Sequence, residues 1–500
     1  MWGLRQSRGF AFLFLSSFSL QANPLFKRTL DFPSLSESCS SFCLLLPMRD
    51  GHESEVVFFT PSCVDPPWPC ILVRSPYKLE SNFLEEVLPL TKEGYGVVFQ
   101  RTRRSWCGLL SLFTSSQKIT EDTFDICAWL VASPYCNGSI GMWGLSASAI
   151  IQSLVGGQEI PGLKSLYMVS TTCRFIRDVL FSGDVVRKDI VRNRIGLLLQ
   201  SFMGLCSFQE ESPFFRMVEP KRYVTPQQRP TLYCTGWYDF FSKGTIDTFL
   251  EHHQANPSKS ILIIGPWSHI PMTDSPFFFQ NENNLPFDCS PKKWFDHHLK
   301  GEKWTEDISS LYYVLHPQEG HWKKMQTWPI PSQNTTLSLS QEPETWLIVE
   351  HDPSQPVPAT KDWTLQNHAA SIGQEVCQHP FVQKHLLNFE PQSETIITGT
   401  PRLQLSFIKT EQTSFIVRLC HISSQGEWRP LSQGAKKLEA KKLKYVFDCS
   451  PTSFLLKPGE RLGLLFSSSS DPSLQHSEVP TSVTLNLEKS QIILPIEQSP

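Results

Sequence analysis

Ser139-Ile140-Gly141-Met142-Trp143-Gly144-Leu145-Ser146-Ala147-Ser148-Ala149-Ile150 is the stretch whose reading decides the fold. It reads as a short apolar strand, a tight turn with Ser146 at its apex, and the start of a helix. A serine placed there is pushed out on a strained bend, with its hydroxyl free beside a helix N-terminus, which is how a nucleophile elbow is built. The full pattern is Gly-x-Ser-x-Gly, and the closing glycine is replaced by Ser148. A Gly-x-Ser triplet is common, so the stretch alone also fits a plain turn serine. The rest of the chain has to decide.

A serine hydroxyl is a poor nucleophile at neutral pH; it needs a base to take its proton and an acid to orient that base. Downstream, the apolar run Thr231–Thr235 reads as a strand ending in Gly236-Trp237-Tyr238-Asp239. A helical pattern over Thr245–Glu251 follows, and then the strand Ile261–Ile264 ends in Gly265-Pro266-Trp267-Ser268-His269. Ser146, Asp239 and His269 thus follow the chain in the order Ser, Asp, His, each just past a strand. Open α/β sheets place their ligand crevice at such strand ends. Taken singly, Asp239 also fits an Asx turn and His269 a loop histidine. His252, His253, His297 and His298 lie in helical or polar stretches and read as surface residues.

Upstream of the elbow, Val56–Phe59, Cys70–Val73 and Gly96–Phe99 are β-rich runs. Helical spacing appears at Phe83, Val87, Leu88 and Leu90, and again from Glu121 to Val131. Strands alternating with helices imply a mostly parallel sheet covered on both faces. Between 162 and 230 no strand signal is clear. The pieces Asp178–Phe181 and Ile195–Leu199 read as helical, and this region is expected to lie over the sheet end as an insertion. Its Arg174, Arg177, Arg187, Arg192 and Arg194 read as a solvated face rather than an anion site. Beyond Trp304 helical periodicity fades, and short alternating strands separated by Pro- and Ser-rich turns predict an all-β sandwich or jelly roll.

With 500 residues, 40% of them apolar, the chain can bury a large core and build two or three domains. A formal net charge of -3 offers no argument for nucleic acid or for a membrane surface. Arg5 and Arg8 precede the apolar run Phe10–Leu15, which continues through Phe18 and Leu20 to small residues around Ala22. Residues 1–22 therefore read as an export signal too short to span a bilayer, and the protein is expected to be secreted or periplasmic. If that segment is instead an ordinary buried N-terminus, the protein is cytoplasmic. The 14 cysteines include no Cys-x-x-Cys pair, so no zinc site, and no cofactor or metal of any kind, is expected. Cys39 with Cys43, or Cys63 with Cys70, are close enough in sequence to be candidate local disulfides; buried free thiols are the alternative. Two glycosylation sequons occur, at Asn137 and Asn334.

The pieces Met48-Arg49-Asp50-Gly51, Arg74-Ser75-Pro76-Tyr77, Glu121-Asp122 with Asp125 and Trp129, Gly141–Ser146, Gly236–Asp239, Gly265–His269 and Trp294-Phe295-Asp296 together resemble the α/β-hydrolases that group cocaine esterase with the Xaa-Pro dipeptidyl-peptidases. In the β region, His351-Asp352-Pro353 and Ile397-Thr398-Gly399 resemble that family's C-terminal domain. The resemblance implies Ser146 as nucleophile, His269 as general base and Asp239 as its orienting acid, with an oxyanion hole from Tyr77 and the backbone N–H of Ala147. It implies an α/β-hydrolase fold interrupted by a helical cap, followed by a galactose-binding-like jelly roll. The expected boundaries are 23–161 and 231–305 for the hydrolase domain, 162–230 for the cap and 306–500 for the jelly roll.

Three departures bear on the pocket. Ala147 stands where a tyrosine is usual, Ser148 and Ala149 stand where two glycines are usual, and the Asp-x-Arg-Gly stretch is rewritten as Arg101-Thr102-Arg103-Arg104. The expected activity is hydrolysis of a small-molecule carboxylic ester or a short peptide through an acyl-enzyme. Release of an Xaa-Pro dipeptide is one alternative. A degenerate hydrolase that binds carbohydrate or a partner through its β-sandwich is the other.

Overall fold

In the computed structural model, residues 39–77, 79, 86–103, 116–155, 157–190, 228–269, 285–340, 343–359 and 374–498 are described. The segment read as an export signal lies outside them, as do Ile195–Leu199, Arg192 and Arg194.

A ten-stranded sheet carries the chain from Cys39 to Met325. Its strands are β1 (Cys39–Pro47), β2 (Glu53–Pro61), β3 (Trp68–Ser75), β4 (Gly96–Arg101), β5 (Cys136–Leu145), β6 (Leu163–Val169), β7 (Thr231–Gly236), β8 (Ser260–Gly265), β9 (Ser310–Val314) and β10 (His321–Met325). Their spatial order is β1-β2-β4-β3-β5-β6-β7-β8-β9-β10. From β4 through β9 every pairing is parallel, while β1, β2 and β10 attach antiparallel at the edges. Alternate side chains enter two different cores: Leu72, Met142, Leu166 and Met168 on one face, and Ile71, Val73, Trp143, Tyr167 and Val169 on the other. Burial on both faces is why these strands read as continuous apolar runs. Helices α1 (Ser116–Ala132), α2 (Ala147–Val155), α4 (Ser242–Ala255) and α5 (Pro291–Lys300) cover the sheet, and the short α3 (Phe175–Leu180) follows β6.

Three motif pieces that are distant in sequence meet at one corner. Arg49 binds Asp125 of α1 at 2.7 Å, and Arg103 binds both Asp50 (2.6 Å) and Asp122 (2.6 Å). The rewritten loop after β4 thus still ties the Met48–Gly51 turn to α1. The paired guanidinium holds the Asp50 carboxyl well below the usual carboxylate range.

Several expectations are corrected. The span from 162 is not helical at its start, because Leu163–Val169 is a central strand between β5 and β7. Lys164, Ser165 and Met168 dilute its β signal, and its strand state comes from neighbours on both sides rather than from propensity. Ser310–Val314 belongs to the α/β sheet, pairing parallel with β8. Arg187 is buried, 5% exposed, and is no solvated face; His252 is buried as well. Cys39 and Cys43 lie four residues apart on one strand, about 13 Å at the rise of a β-strand, and cannot be bridged. Cys63 is exposed and Cys70 lies in the core; both are free thiols.

The β-sandwich follows as expected. One sheet has Thr481–Glu497 at its centre, flanked by Arg402–Lys409, Thr395–Gly399, Ser332–Ser338 and Trp346–His351, with Lys444–Asp448 and Thr452–Leu456 outside them. The other orders Gln383–Leu386, Arg461–Ser467, Thr413–Ile422 and Trp428–Leu438. It docks directly on the hydrolase domain: Leu315, just past β9, exchanges backbone hydrogen bonds with Ser453 and Leu455.

Candidate active site

The elbow forms as the sequence predicts. Ser146 joins β5 to α2 with φ of 58°, in the left-handed region that an L-residue adopts only under constraint. Its N–H donates to Val169 O (2.9 Å), and its carbonyl accepts from Ala149 and Ile150 in the first turn of α2. Gly144 is obligatory here, since a Cβ at that position would lie 2.6 Å from the Ser148 backbone. Ser148, in place of the closing glycine, is buried inside α2 without disturbing the turn.

The two downstream motifs interlock. Trp237 N–H donates to Gly265 O (2.9 Å) and Tyr238 N–H to Trp267 O (3.1 Å). A Cβ on Gly236 would collide with the Trp267 carbonyl, so the two loops approach this closely only with glycine there. This close fit brings His269 Nδ1 to 3.0 Å from Asp239 Oδ1. Asp239 is fully buried; its Oδ2 accepts from Thr235 Oγ1 (2.9 Å) and its Oδ1 from Phe241 N–H (3.0 Å). With its lone pairs taken this way, the carboxylate faces the imidazole in one orientation. Asp239 accepting at Nδ1 leaves Nε2 of His269 as the face able to take a proton.

Ser146 and His269 both bond to the corner that follows β6. Val169 O receives the Ser146 N–H, and the next residue, Ser170, donates its hydroxyl to His269 O (3.2 Å). Of the expected oxyanion donors, Ala147 is the buried first residue of α2. Tyr77 follows β3, half-buried, with its N–H on Ser75 Oγ (3.2 Å). Both expected donors therefore sit at C-terminal strand ends, like Ser146, Asp239 and His269.

Sequence reading missed the aromatic wall of this site. Phe240 stacks on the His269 ring (4.6 Å between centroids) and Phe241 tilts against it (5.6 Å). The buried Arg187 guanidinium lies 5.3 Å from the Phe240 ring, on a segment that also bridges to Leu474 of the β-sandwich. The available signal was adjacency: the two phenylalanines directly follow Asp239.

The model of the X-Pro dipeptidyl-peptidase (S15) family matches residues 50–205 and 200–271, the span that contains Ser146, Asp239 and His269. Cocaine esterase from Rhodococcus sp. (strain MB1 Bresler) is 22% identical over an alignment covering 86% of this chain and 90% of that protein. The chain is a hydrolase related to both. Solved structures share its fold across nearly its whole length. An aminopeptidase from a marine sediment Thaumarchaeota archaeon and an α-amino acid ester hydrolase each superpose with a TM-score of 0.79. They cover 96% of this chain at 16% and 17% identity, and all of their own chains.

A second polar cluster in the hydrolase lies at the domain boundary. His316, His421 and Glu460 offer three ligand-type atoms within 4.8 Å of one another. His316 Nδ1, however, accepts from the N–H groups of Gln318 (3.2 Å) and Glu319 (2.9 Å). The proton of the neutral ring must then sit on Nε2, which donates to Glu460 Oε1 at 3.0 Å. A metal needs that same Nε2 lone pair, so the donor set does not fit one. The cluster is a clamp between domains; burial pushes the Glu460 carboxyl pKa up, but His421, the Lys457 N–H and His316 outweigh it and hold it down to about 2.

Proposed function

We propose that this hydrolase cleaves a carboxylic ester or a peptide amide through a covalent acyl-enzyme. In this reading Ser146 attacks the carbonyl carbon while His269 Nε2 takes the hydroxyl proton. Asp239 keeps the imidazole in the required tautomer and favours the imidazolium that forms. The Ala147 N–H and the Tyr77 hydroxyl receive the oxyanion, and His269 returns its proton to the leaving alcohol or amine. Water then repeats the sequence to release the acid. The observation that carries this reading is the 3.0 Å contact of His269 with a fully buried Asp239, on a loop hydrogen-bonded to the corner that also receives the Ser146 N–H.

Labelling with a fluorophosphonate probe tests it. Wild type is expected to label and Ser146→Ala to remain unlabelled; equal labelling of the two overturns the assignment. Comparing an aryl ester with Ala-Pro and Gly-Pro anilides then separates ester hydrolysis from dipeptide release.

A further inference from the structure

We infer that Ser170 is a positioning residue for His269, fixing where the imidazole stands relative to the elbow. This rests on the proposed roles of Ser146 and His269. Ser170 follows β6 with φ of 53°, the left-handed region again, and its side chain is fully buried. A serine held there carries a backbone cost on the order of 1 kcal/mol that glycine would avoid. Such a residue persists when its surroundings over-determine it, and here they do. Its N–H donates to Cys234 O (2.8 Å) at the end of the strand leading to Asp239, and its hydroxyl donates to the His269 carbonyl (3.2 Å). The preceding carbonyl, of Val169, receives the Ser146 N–H. Two consecutive residues therefore touch the elbow, the His269 loop and the strand that leads to Asp239.

The corner itself is pinned. Thr171 N–H donates to Thr245 Oγ1 (3.0 Å), whose hydroxyl returns to Thr171 O (2.8 Å), and Ser153 of α2 meets Thr171 Oγ1 at 3.0 Å. Thr245 lies on α4, the helix after Asp239, and Ser153 on the helix after Ser146. A hydroxyl anchored in this way transmits a fixed position to the His269 backbone. The ring is then held from two directions, by Asp239 at Nδ1 and by Ser170 at the main chain. Without the second hold the ring keeps its Asp239 contact but loses a defined distance to Ser146, and displacements of about 1 Å cost on the order of 100-fold in rate.

The test uses Ser170→Ala and Ser170→Gly in the full-length enzyme with an aryl ester. Both are expected to lower kcat roughly 10- to 100-fold with KM within about twofold of wild type, and to slow fluorophosphonate labelling in parallel. Ser170→Gly relieves the backbone cost, so it is expected to stay folded with a melting temperature at or above that of wild type. Wild-type kcat in folded Ser170→Gly overturns the inference. So does loss of kcat in Ser170→Ala alone, which would assign the effect to strain rather than to the hydroxyl, and so does a change confined to KM. Absence of labelling in Ser146→Ala combined with normal labelling of both Ser170 variants removes the positioning role while leaving the proposed nucleophile in place.

Discussion

His269 Nδ1 meets Asp239 Oδ1 at 3.0 Å, and the second oxygen of that carboxylate is occupied by the Thr235 hydroxyl. The carboxylate is thus oriented before the histidine reaches it. Asp239→Asn preserves the shape of this contact but permits the amide to donate, which favours the wrong imidazole tautomer. The expected result is a fall in kcat of roughly 10⁴-fold with the fold retained, read by aryl ester hydrolysis and circular dichroism. A fall below tenfold would remove Asp239 from the mechanism.

Gly236 permits the approach of the two loops that makes this contact. Gly236→Ala adds one methyl group against the Trp267 backbone carbonyl, which cannot rotate away as a side chain would. The cost to stability is expected at about 1–3 kcal/mol from overpacking. Activity is expected to fall further than stability, since the displaced loop carries His269. Thermal melting and kcat measured on the same preparation separate the two effects.

His252 supplies a pH prediction. Burial pushes its pKa down to about 4, so it is neutral in the folded protein at pH values where the unfolded chain binds a proton. The unfolded state then takes up more protons between about 6.5 and 4, and stability falls as pH falls through that window. His298, lowered to about 4 by burial, acts in the same direction. His252→Gln is expected to lose part of this dependence, about 2 kcal/mol at most, in melting temperatures compared at pH 7.5 and pH 5. An unchanged difference between the two pH values would contradict the burial argument.

The His316–Glu460–His421 clamp gives a contrasting expectation. Zinc added in excess is expected to leave the melting temperature unchanged, because the backbone N–H groups on His316 Nδ1 place that ring's proton on Nε2, the nitrogen it turns toward Glu460. A zinc-dependent rise would show that the ring can change its tautomer. Glu460→Gln, by contrast, is expected to lower stability by about 1–3 kcal/mol, since it weakens a charge-assisted contact, as read by thermal melting.

Much of the site was legible along the chain because its motifs are local. Gly144 before Ser146, Gly236 before Asp239 and Gly265 before His269 each mark a strand end where backbone must pass close to something, and each glycine proves to be sterically required. Ser148 in place of the closing glycine proved harmless, because that position lies inside a helix with room for a hydroxymethyl group. What remained hidden depends on neighbours that are remote in sequence. Leu163–Val169 is a strand only because β5 and β7 flank it, and Ser170 holds its conformation because Cys234 and His269 lie on either side. Arg187 read as solvated, since nothing near it in sequence predicts the stack on Phe240.

By itself, then, the sequence determined the alternation of strand and helix, the switch to an all-β second half and the identity and order of Ser146, Asp239 and His269. These follow from side-chain periodicity and turn chemistry, which act over a few residues. The tertiary structure alone decided that β9 and β10 join the α/β sheet and that His316 faces Glu460 across a domain boundary. It also decided that the corner after β6 binds both the elbow and the histidine loop. Hydrogen bonds and burial between segments tens to hundreds of residues apart set those features, and no local pattern encodes them.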